Sequence, residues 1–191
     1  MGFVIFIILI IAMLYLVFFP PSSAKILGNI GEREVRKKLK KLDKNRYTIF
    51  NDVVFDIKGK SSQIDHIIVS DYGIFVIETK NYKGSIYGSE YNEYWTQYLY
   101  KKKFKLYNPI KQNQGHIYAM HYVLKGLLPI DFYSIIVFTE RADLKIKSNT
   151  PVIYSNRLLK VFKTYDEIKL NIYMKQAIID TINKHNLNSN K

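Results

Sequence analysis

The sequence predicts an α/β protein in which a mixed central sheet is flanked by helices and tethered by one N-terminal transmembrane helix. Three observations predict this: β-type runs alternate with helical segments, an apolar hairpin occupies residues 63–80, and an uncharged apolar run occupies residues 3–19. At 191 residues the chain suits one domain plus an appendage. We divide it into an anchor with its linker (1–24), a central domain (25–145), and a C-terminal strand and helices (146–191) that complete the domain or pack on it.

Residues 3–19 form an uninterrupted apolar run that is closed by Pro20 and Pro21. At about 1.5 Å per residue the run covers about 26 Å, the short end of the range for a membrane-spanning helix. A signal peptide is the alternative, but no Lys or Arg precedes the run. The first charged residues after it, from Lys25 to residue 41, are mostly basic. The positive-inside rule therefore predicts a single-pass protein of the cell membrane, with its N-terminus outside and its C-terminal domain in the cytoplasm.

The composition indicates which classes of partner the protein suits and which kinds of site it cannot contain. The chain has 29 Lys and Arg against 16 Asp and Glu, a formal net charge of +13. Such a charge suits nucleic-acid phosphates or anionic lipid, with a general lysine bias as the alternative explanation. The absence of cysteine excludes disulfides, thiolate metal sites and cysteine nucleophiles, and only four His residues disfavour a multi-histidine zinc site.

The first helix of the central domain is predicted to begin with Asn29 as its cap and to run to about residue 42. Helical spacing puts Glu32 on the same face as the apolar Leu39, whereas Glu34 is predicted to point into solvent. Glu32 is therefore the carboxylate that this helix presents to the sheet. The alternative is an acid placed in the first turn because the helix dipole favours it there.

Two strands, residues 63–70 and 74–80, are predicted to form a tight hairpin with Ser70 facing Gly73. This register brings Asp65 opposite Glu78 on one side of the hairpin. A three-residue loop with a glycine bulge is the alternative, and it would separate the two acids.

Two carboxylates that face each other on neighbouring strands oppose folding. A hard divalent cation such as Mg²⁺ would offset their repulsion, and Lys80 lies on the same side of the hairpin as Asp65 and Glu78. The alternative is an ordinary amphipathic hairpin whose charged ends are solvated.

The remaining elements follow in chain order. Strands are predicted over residues 47–55, 85–87, 132–139 and 151–154, with an irregular hairpin over 88–107 and helices from Asn108, over 156–165 and over 166–186. In the helix that starts at Asn108 and Pro109, geometry nominates Asn113 as the polar residue of the buried stripe, and His116 and His121 are predicted to be ordinary surface residues.

The hairpin over residues 88–107 is rich in Tyr and Lys around Trp95. Its lysines, with Lys101 and Lys103 as the candidates, would hold phosphates while the aromatic rings stack on bases. An edge hairpin with a packed Trp is the alternative.

Asp65 followed by Glu78-Thr79-Lys80 resembles the signature of the PD-(D/E)xK nuclease superfamily. The run from Gln63 to Gly84 resembles one branch of it, the NERD (nuclease-related) domain. The other islands of this resemblance, which covers about residues 28–140, are Gly31-Glu32-Arg33, Trp95 and Asn108-Pro109-Ile110-Lys111-Gln112. Ile64 stands where the superfamily name has a proline. That proline is not general in this branch.

The resemblance implies a restriction-endonuclease-like fold and a Mg²⁺- or Mn²⁺-dependent nuclease, with DNA as the expected substrate. It implies that Asp65, Glu78 and the Thr79 carbonyl hold the metal, and that Lys80 orients the attacking water or stabilises the transition state. It also implies the following supporting roles: Glu32 assists the metal, and Gln112 positions the substrate or Lys80.

Two alternatives from other functional classes stay open. The superfamily fold can persist without cleavage activity. In that case the chain would be a membrane-tethered nucleic-acid-binding or scaffold module. A lipid-associated protein that uses its basic face is the other, and it leaves Asp65 and Glu78 unexplained.

Overall fold

The computed structural model describes residues 4–6, 23–127 and 129–188. The predicted membrane segment, residues 3–19, lies outside the described residues apart from positions 4–6. Among the described residues, no helix is long and apolar enough to cross a membrane.

The described residues form two mixed sheets and the helices that pack on them. The elements are α1 (Ser23–Leu39), β1 (Tyr47–Ile57), β2 (Lys60–Ser70), β3 (Gly73–Lys80), β4 (Gly84–Ser89), β5 (Tyr94–Leu99), β6 (Lys102–Tyr107), α2 (Pro109–Val123), β7 (Phe132–Phe138), β8 (Ala142–Lys147), β9 (Val152–Tyr154), a 3₁₀ turn (Ser155–Arg157), α3 (Leu158–Phe162) and α4 (Ile172–His185). The strand orders within this part of the chain are β1-β2-β3-β7-β9 and β6-β5-β4-β8. The α/β class is confirmed, but the prediction of one central sheet was wrong because β4, β5, β6 and β8 form a second one.

Helices cover both faces of the β1-β2-β3-β7-β9 sheet. Ile67 and Val76 belong to a buried cluster that includes side chains of α2 and α4. Ile68 and Phe75, which alternate with them along β2 and β3, belong to a second cluster with α1 and α3. The strands are therefore buried on both faces, as in other α/β sheets, and β3 lies at the centre of a three-layer arrangement.

Two predicted helix starts differ from the structure, and one strand was not predicted. Helix α1 begins at Ser23, so Asn29 is inside the helix and does not cap it. The last helix begins after Asn171, whose side chain accepts a hydrogen bond of 2.9 Å from the Met174 N–H, and not at residue 166. Strand β8 was not predicted, although its apolar residues alternate with polar ones as a half-buried strand requires.

The predicted cap of α2 is confirmed, and Asn108 does more than cap. Its side-chain oxygen accepts a hydrogen bond of 2.9 Å from the Ile110 N–H. Its side-chain amide donates to the carbonyls of Ser89, Glu90 and Asn92 at 3.2, 3.0 and 2.6 Å. One buried asparagine thus fixes the start of α2 against the loop between β4 and β5.

Gly31 lets α1 approach the end of β3 closely. A Cβ at this position would lie 2.8 Å from Cβ of Asn81 and 3.5 Å from methyl groups of Thr79 and Thr139. Asn81 also donates a hydrogen bond of 2.6 Å to the Leu27 carbonyl of α1. The Gly-Glu pair of α1 therefore carries its glycine for packing, which sets the position of Glu32.

Gly31→Ala should lower stability by about 1–3 kcal/mol, because the new methyl group overpacks the contact with Asn81. Gly115→Ala is the matched control, since Gly115 lies within α2 and a Cβ there meets nothing within 4 Å. That change should instead stabilise by about 0.5–1 kcal/mol through helix propensity. Chemical denaturation of both variants measures the difference, and a neutral Gly31→Ala would contradict the packing argument.

Candidate active site

Strands β2 and β3 separate at Asp65. They pair in the predicted register as far as His66 and Ile77. The next pair, Asp65 with Glu78, was predicted and is not part of the ladder. Asp65 instead accepts a hydrogen bond of 2.8 Å at Oδ2 from the backbone N–H of Thr79. The hairpin therefore opens where the carboxylates begin.

The ladder between β1 and β2 is also interrupted at this position. Asn51 pairs with His66 and Val53 with Ile64, but Asp52, opposite Asp65, is skipped. Asp52 has a φ of 54°, in the left-handed region that non-glycine residues rarely adopt. Asp65 thus lies at a break in both of its ladders, and unusual backbone of this kind is concentrated at functional sites.

A cavity of about 520 Å³ lies at this opening. Its lining comes from α1, β2, β3, the segment after β3, and α2: Leu27, Gly28, Asn29, Glu32, Gln63, Asp65, Glu78, Thr79, Lys80, Asn81, Tyr82 and Gln112. All five predicted catalytic residues and the predicted metal ligand Thr79 are in that set. Lys101 and Lys103 are not, because they belong to the β5–β6 hairpin, where both are exposed.

Glu78 is the most buried carboxylate of the cavity, with 2% of its surface exposed. Its Oε1 lies 2.6 Å from Nζ of Lys80, and its Oε2 lies 3.0 Å from Nε2 of His116. Burial alone would raise the pKa of Glu78, but the hydrogen bond from His116 and the charge of Lys80 lower it below its usual value. Glu78 is therefore ionised.

Lys80 is held from two sides. Besides its ion pair with Glu78, its ammonium donates a hydrogen bond of 3.0 Å to Oε1 of Gln112. Burial would lower the pKa of Lys80, but the Glu78 carboxylate raises it above its usual value. An ammonium has three N–H groups, so one is left to donate into the cavity. The contact between Gln112 and Lys80 agrees with the prediction, and the catalytic roles of both stay predictions.

Asp65 and Glu32 have the opposite electrostatic setting. Burial, followed by the charge of Glu78, raises the pKa of Asp65 to about 8. Burial, followed by the charge of Asp52, raises the pKa of Glu32. Within the described chain Asp65 accepts one hydrogen bond, from a backbone N–H, and Glu32 has no hydrogen bond or ion pair with another described residue.

Of the two glutamates of α1, Glu32 lies where it was predicted and Glu34 does not. Glu32 lines the cavity, as expected from its face of the helix. Glu34 does not point freely into solvent: it is half-buried, forms an ion pair of 3.2 Å with Lys38, and accepts a hydrogen bond from the Ser155 hydroxyl. The 3₁₀ turn at Ser155 packs against this side of α1, which the helical pattern by itself does not reveal.

His116 was missed by the sequence analysis, which predicted a surface residue. It is 9% exposed and contacts Glu78 directly. The available signal was its spacing, since residues four apart share a helix face and His116 follows Gln112 by four. Asn113, the geometric candidate, instead donates hydrogen bonds to the Val76 carbonyl and the Ser134 hydroxyl, both 2.8 Å, and ties α2 to the sheet. His121 is exposed, as predicted.

The donor set suits a divalent cation that is also bound by water and phosphate. No three His, Asp or Glu side chains among the described residues form a cluster able to hold a metal by themselves. Mg²⁺ in phosphate chemistry commonly uses one or two carboxylates and takes its other ligands from water and substrate. Asp65, whose second carboxylate oxygen makes no hydrogen bond within the described chain, fits this requirement, and Glu78 is its ionised neighbour.

Comparison with known proteins places the chain among nuclease-related sequences. Residues 27–139 match the Nuclease-related domain (NERD) family. The chain is similar to an uncharacterized protein of Bacillus anthracis, with 38% identity over 165 residues that cover 84% of this chain and 77% of that protein. No solved structure matches the chain.

In metal-free buffer, Asp65→Asn should stabilise the protein increasingly as the pH rises from 5 to 8. The pKa of Asp65 is about 8 when folded and about 3.9 when unfolded, so the folded state holds a proton that the unfolded state has released. The stability that this proton provides is fully present below the unfolded pKa and is lost as the pH rises through the folded pKa. The amide of the variant cannot ionise, so the difference at pH 8 should reach about 1 kcal/mol or more.

The measurement is the melting temperature in EDTA at several pH values. Asp166→Asn, an exposed aspartate outside this cavity, is the control and should follow wild type at each pH. Parallel curves for wild type and Asp65→Asn would show that Asp65 is ionised in the folded protein throughout.

Proposed function

Because the chain belongs to the nuclease-related domain (NERD) family, whose match covers more than half of its length, we propose that it is a metal-dependent nuclease that hydrolyses nucleic-acid phosphodiester bonds, with DNA as the substrate. The observation that carries the proposal is the arrangement around Glu78. One cavity contains three carboxylates, of which Glu78 and Asp65 have contrasting environments, and a lysine fixed between Glu78 and Gln112. A module that only binds phosphate has no need of buried acids facing that phosphate.

Asp65, Glu78 and the Thr79 carbonyl would hold Mg²⁺ or Mn²⁺, with Glu32 as a further carboxylate that lines the cavity. A divalent cation bound there would polarise the phosphate and lower the pKa of a bound water. The chain's own part is to keep Glu78 ionised through His116 and Lys80 before any cation arrives.

Lys80 supplies the charge that acts on the reacting phosphate. Its ammonium is positioned by two oxygen acceptors, so the remaining N–H points in a fixed direction without further loss of side-chain freedom. A donor that is fixed before the reaction and aimed at developing negative charge stabilises the transition state more than the ground state. Gln112 positions Lys80, and His116 positions Glu78 from the next turn of α2.

We also propose that residues 3–19 anchor the protein in the cell membrane, with the catalytic domain in the cytoplasm. The uncharged run and the basic residues that follow it support this topology. Protease added to intact cells should then leave the domain undigested, whereas lysis should expose it. Digestion in intact cells, or a mature N-terminus near Lys25, would contradict the anchor.

Lys80→Ala should lower single-turnover cleavage about a hundredfold or more, the typical cost of removing one donor to the transition state. The affinity for nucleic acid should fall only slightly, and its dependence on salt concentration should decrease by the amount expected for one phosphate contact. Because loss of Lys80 leaves Glu78 buried without its cation, Lys80→Arg is assayed beside it. This variant keeps the charge, should retain the melting temperature, and should still lose at least about tenfold in rate.

The matched variant is Lys101→Ala/Lys103→Ala, which changes two exposed lysines outside the cavity. It should lower the affinity for nucleic acid and the salt dependence of that affinity, while the single-turnover rate of cleavage stays unchanged. The full chain in detergent is assayed for binding with Ca²⁺ and for cleavage with Mg²⁺ or Mn²⁺, and EDTA should abolish the cleavage. If wild type binds DNA and RNA but cleaves neither, the nuclease proposal fails and the membrane-tethered binding module replaces it.

A further inference from the structure

The outer face of the β6-β5-β4-β8 sheet carries tyrosines where a solvated sheet would carry small polar residues. On its other face, Ile86 and Trp95 belong to a buried cluster with Ile136 and Phe138 of β7. On the outer face, Tyr98, Tyr87, Tyr94 and Tyr107 are 44, 46, 48 and 50% exposed. The strand register places these four side chains on the same side, which we call the tyrosine face.

The rings of this face stand apart and do not stack flat on one another. Tyr87 and Tyr98 meet edge to face with centroids 5.5 Å apart, and Tyr94 and Tyr107 do so at 6.0 Å. An open cleft of about 370 Å³ lies between Tyr87, Thr96 and Tyr98. Edge-to-face pairs leave ring surface free, so a flat aromatic group can stack on it.

Lysines are interleaved with these rings. Nζ of Lys103 lies 5.8 Å above the centroid of the Tyr98 ring, and Nζ of Lys105 lies 5.8 Å above that of Tyr94. In the register of the four strands, Lys145 and Lys147 of β8 share the face, and its one carboxylate, Asp143, is paired with Lys145 at 3.3 Å. The face is therefore both aromatic and cationic.

We propose that the tyrosine face binds single-stranded nucleic acid, with bases stacked on the tyrosines and phosphates held by Lys103 and Lys105. Aromatic side chains interleaved with cations are the means by which proteins hold single strands without reading their sequence. In a duplex the faces of the bases are stacked on each other and are not available to aromatic side chains, so the tyrosines would contribute little. The inference rests on the proposed function and specifies the form of its substrate.

The test uses the full chain in detergent with Ca²⁺, a fluorescein-labelled oligo-dT of about 20 nucleotides, and a duplex of the same length. Tyr98→Leu should weaken single-strand binding between about fivefold and a hundredfold, the value of one base–tyrosine stack, and Tyr98→Phe should bind like wild type. Duplex binding should change less than about twofold in either variant. The controls are Tyr118→Leu and Tyr173→Leu, which remove exposed tyrosines from α2 and α4 and should leave both affinities unchanged.

Equal affinity of Tyr98→Leu and wild type for oligo-dT would overturn the inference, provided that their melting temperatures agree. So would an equal loss of duplex binding, which would mean that the site recognises phosphates alone. Vesicles of phosphatidylglycerol are the third probe: if Tyr98→Leu loses vesicle binding and keeps oligo-dT binding, the face contacts lipid. Failure of the nuclease proposal is distinguishable, since wild type would then bind oligo-dT through Tyr98 and cleave nothing.

Discussion

The buried carboxylate of Glu78 is the constraint on which the rest of the structure depends. An ionised group that is 2% exposed costs several kcal/mol unless donors replace its lost water. One donor is local, because Lys80 is two residues further along β3 and shares its face. The other donor, His116, belongs to α2, which is distant from β3 in sequence. Helix α2 must therefore keep one position along β3 and one rotation about its own axis for His116 to reach Glu78. Asn108 and Asn113 supply that alignment, the first by anchoring the start of α2 and the second by binding the carbonyl of Val76.

The same constraint shifts the pKa values of Glu78 and Asp65 in opposite directions. Glu78 has two donors and stays charged, whereas the pKa of Asp65 is raised to about 8 because it is buried beside that charge with one backbone N–H for support. A cation would reverse the state of Asp65 and leave Glu78 as it is. Under the proposed function, a bound divalent ion would therefore act mainly on the protonation of Asp65, the residue at the break in both strand ladders.

Much of the site was predictable because it follows from local periodicity. The tight turn that pairs Ser70 with Gly73 sets the register, and the two-residue repeat of a strand puts Lys80 on the side that carries Glu78. The divergence of the strands at Asp65 was not predictable from the hairpin alone, and it coincides with the left-handed backbone of Asp52 in a different strand. His116 was missed for a related reason. A histidine on a helix can be recognised as the hydrogen-bond partner of a carboxylate only when the position of that carboxylate relative to the helix is known. The second sheet escaped prediction because the pairing of β4 with β8 joins segments that are far apart in sequence.

The segment after β3 links the cavity to the second sheet and is held at both ends. Asn81 bonds to the Leu27 carbonyl of α1 and accepts a hydrogen bond of 2.7 Å from the Thr139 hydroxyl. Three residues later, Gly84 has a φ of +83° and leaves no room for a side chain beside the carbonyl of Tyr98. The first ring of the tyrosine face and the ammonium of Lys80 are therefore connected by a short segment with little freedom to move. The second sheet, which was not predicted, is thus held close to the cavity through this segment.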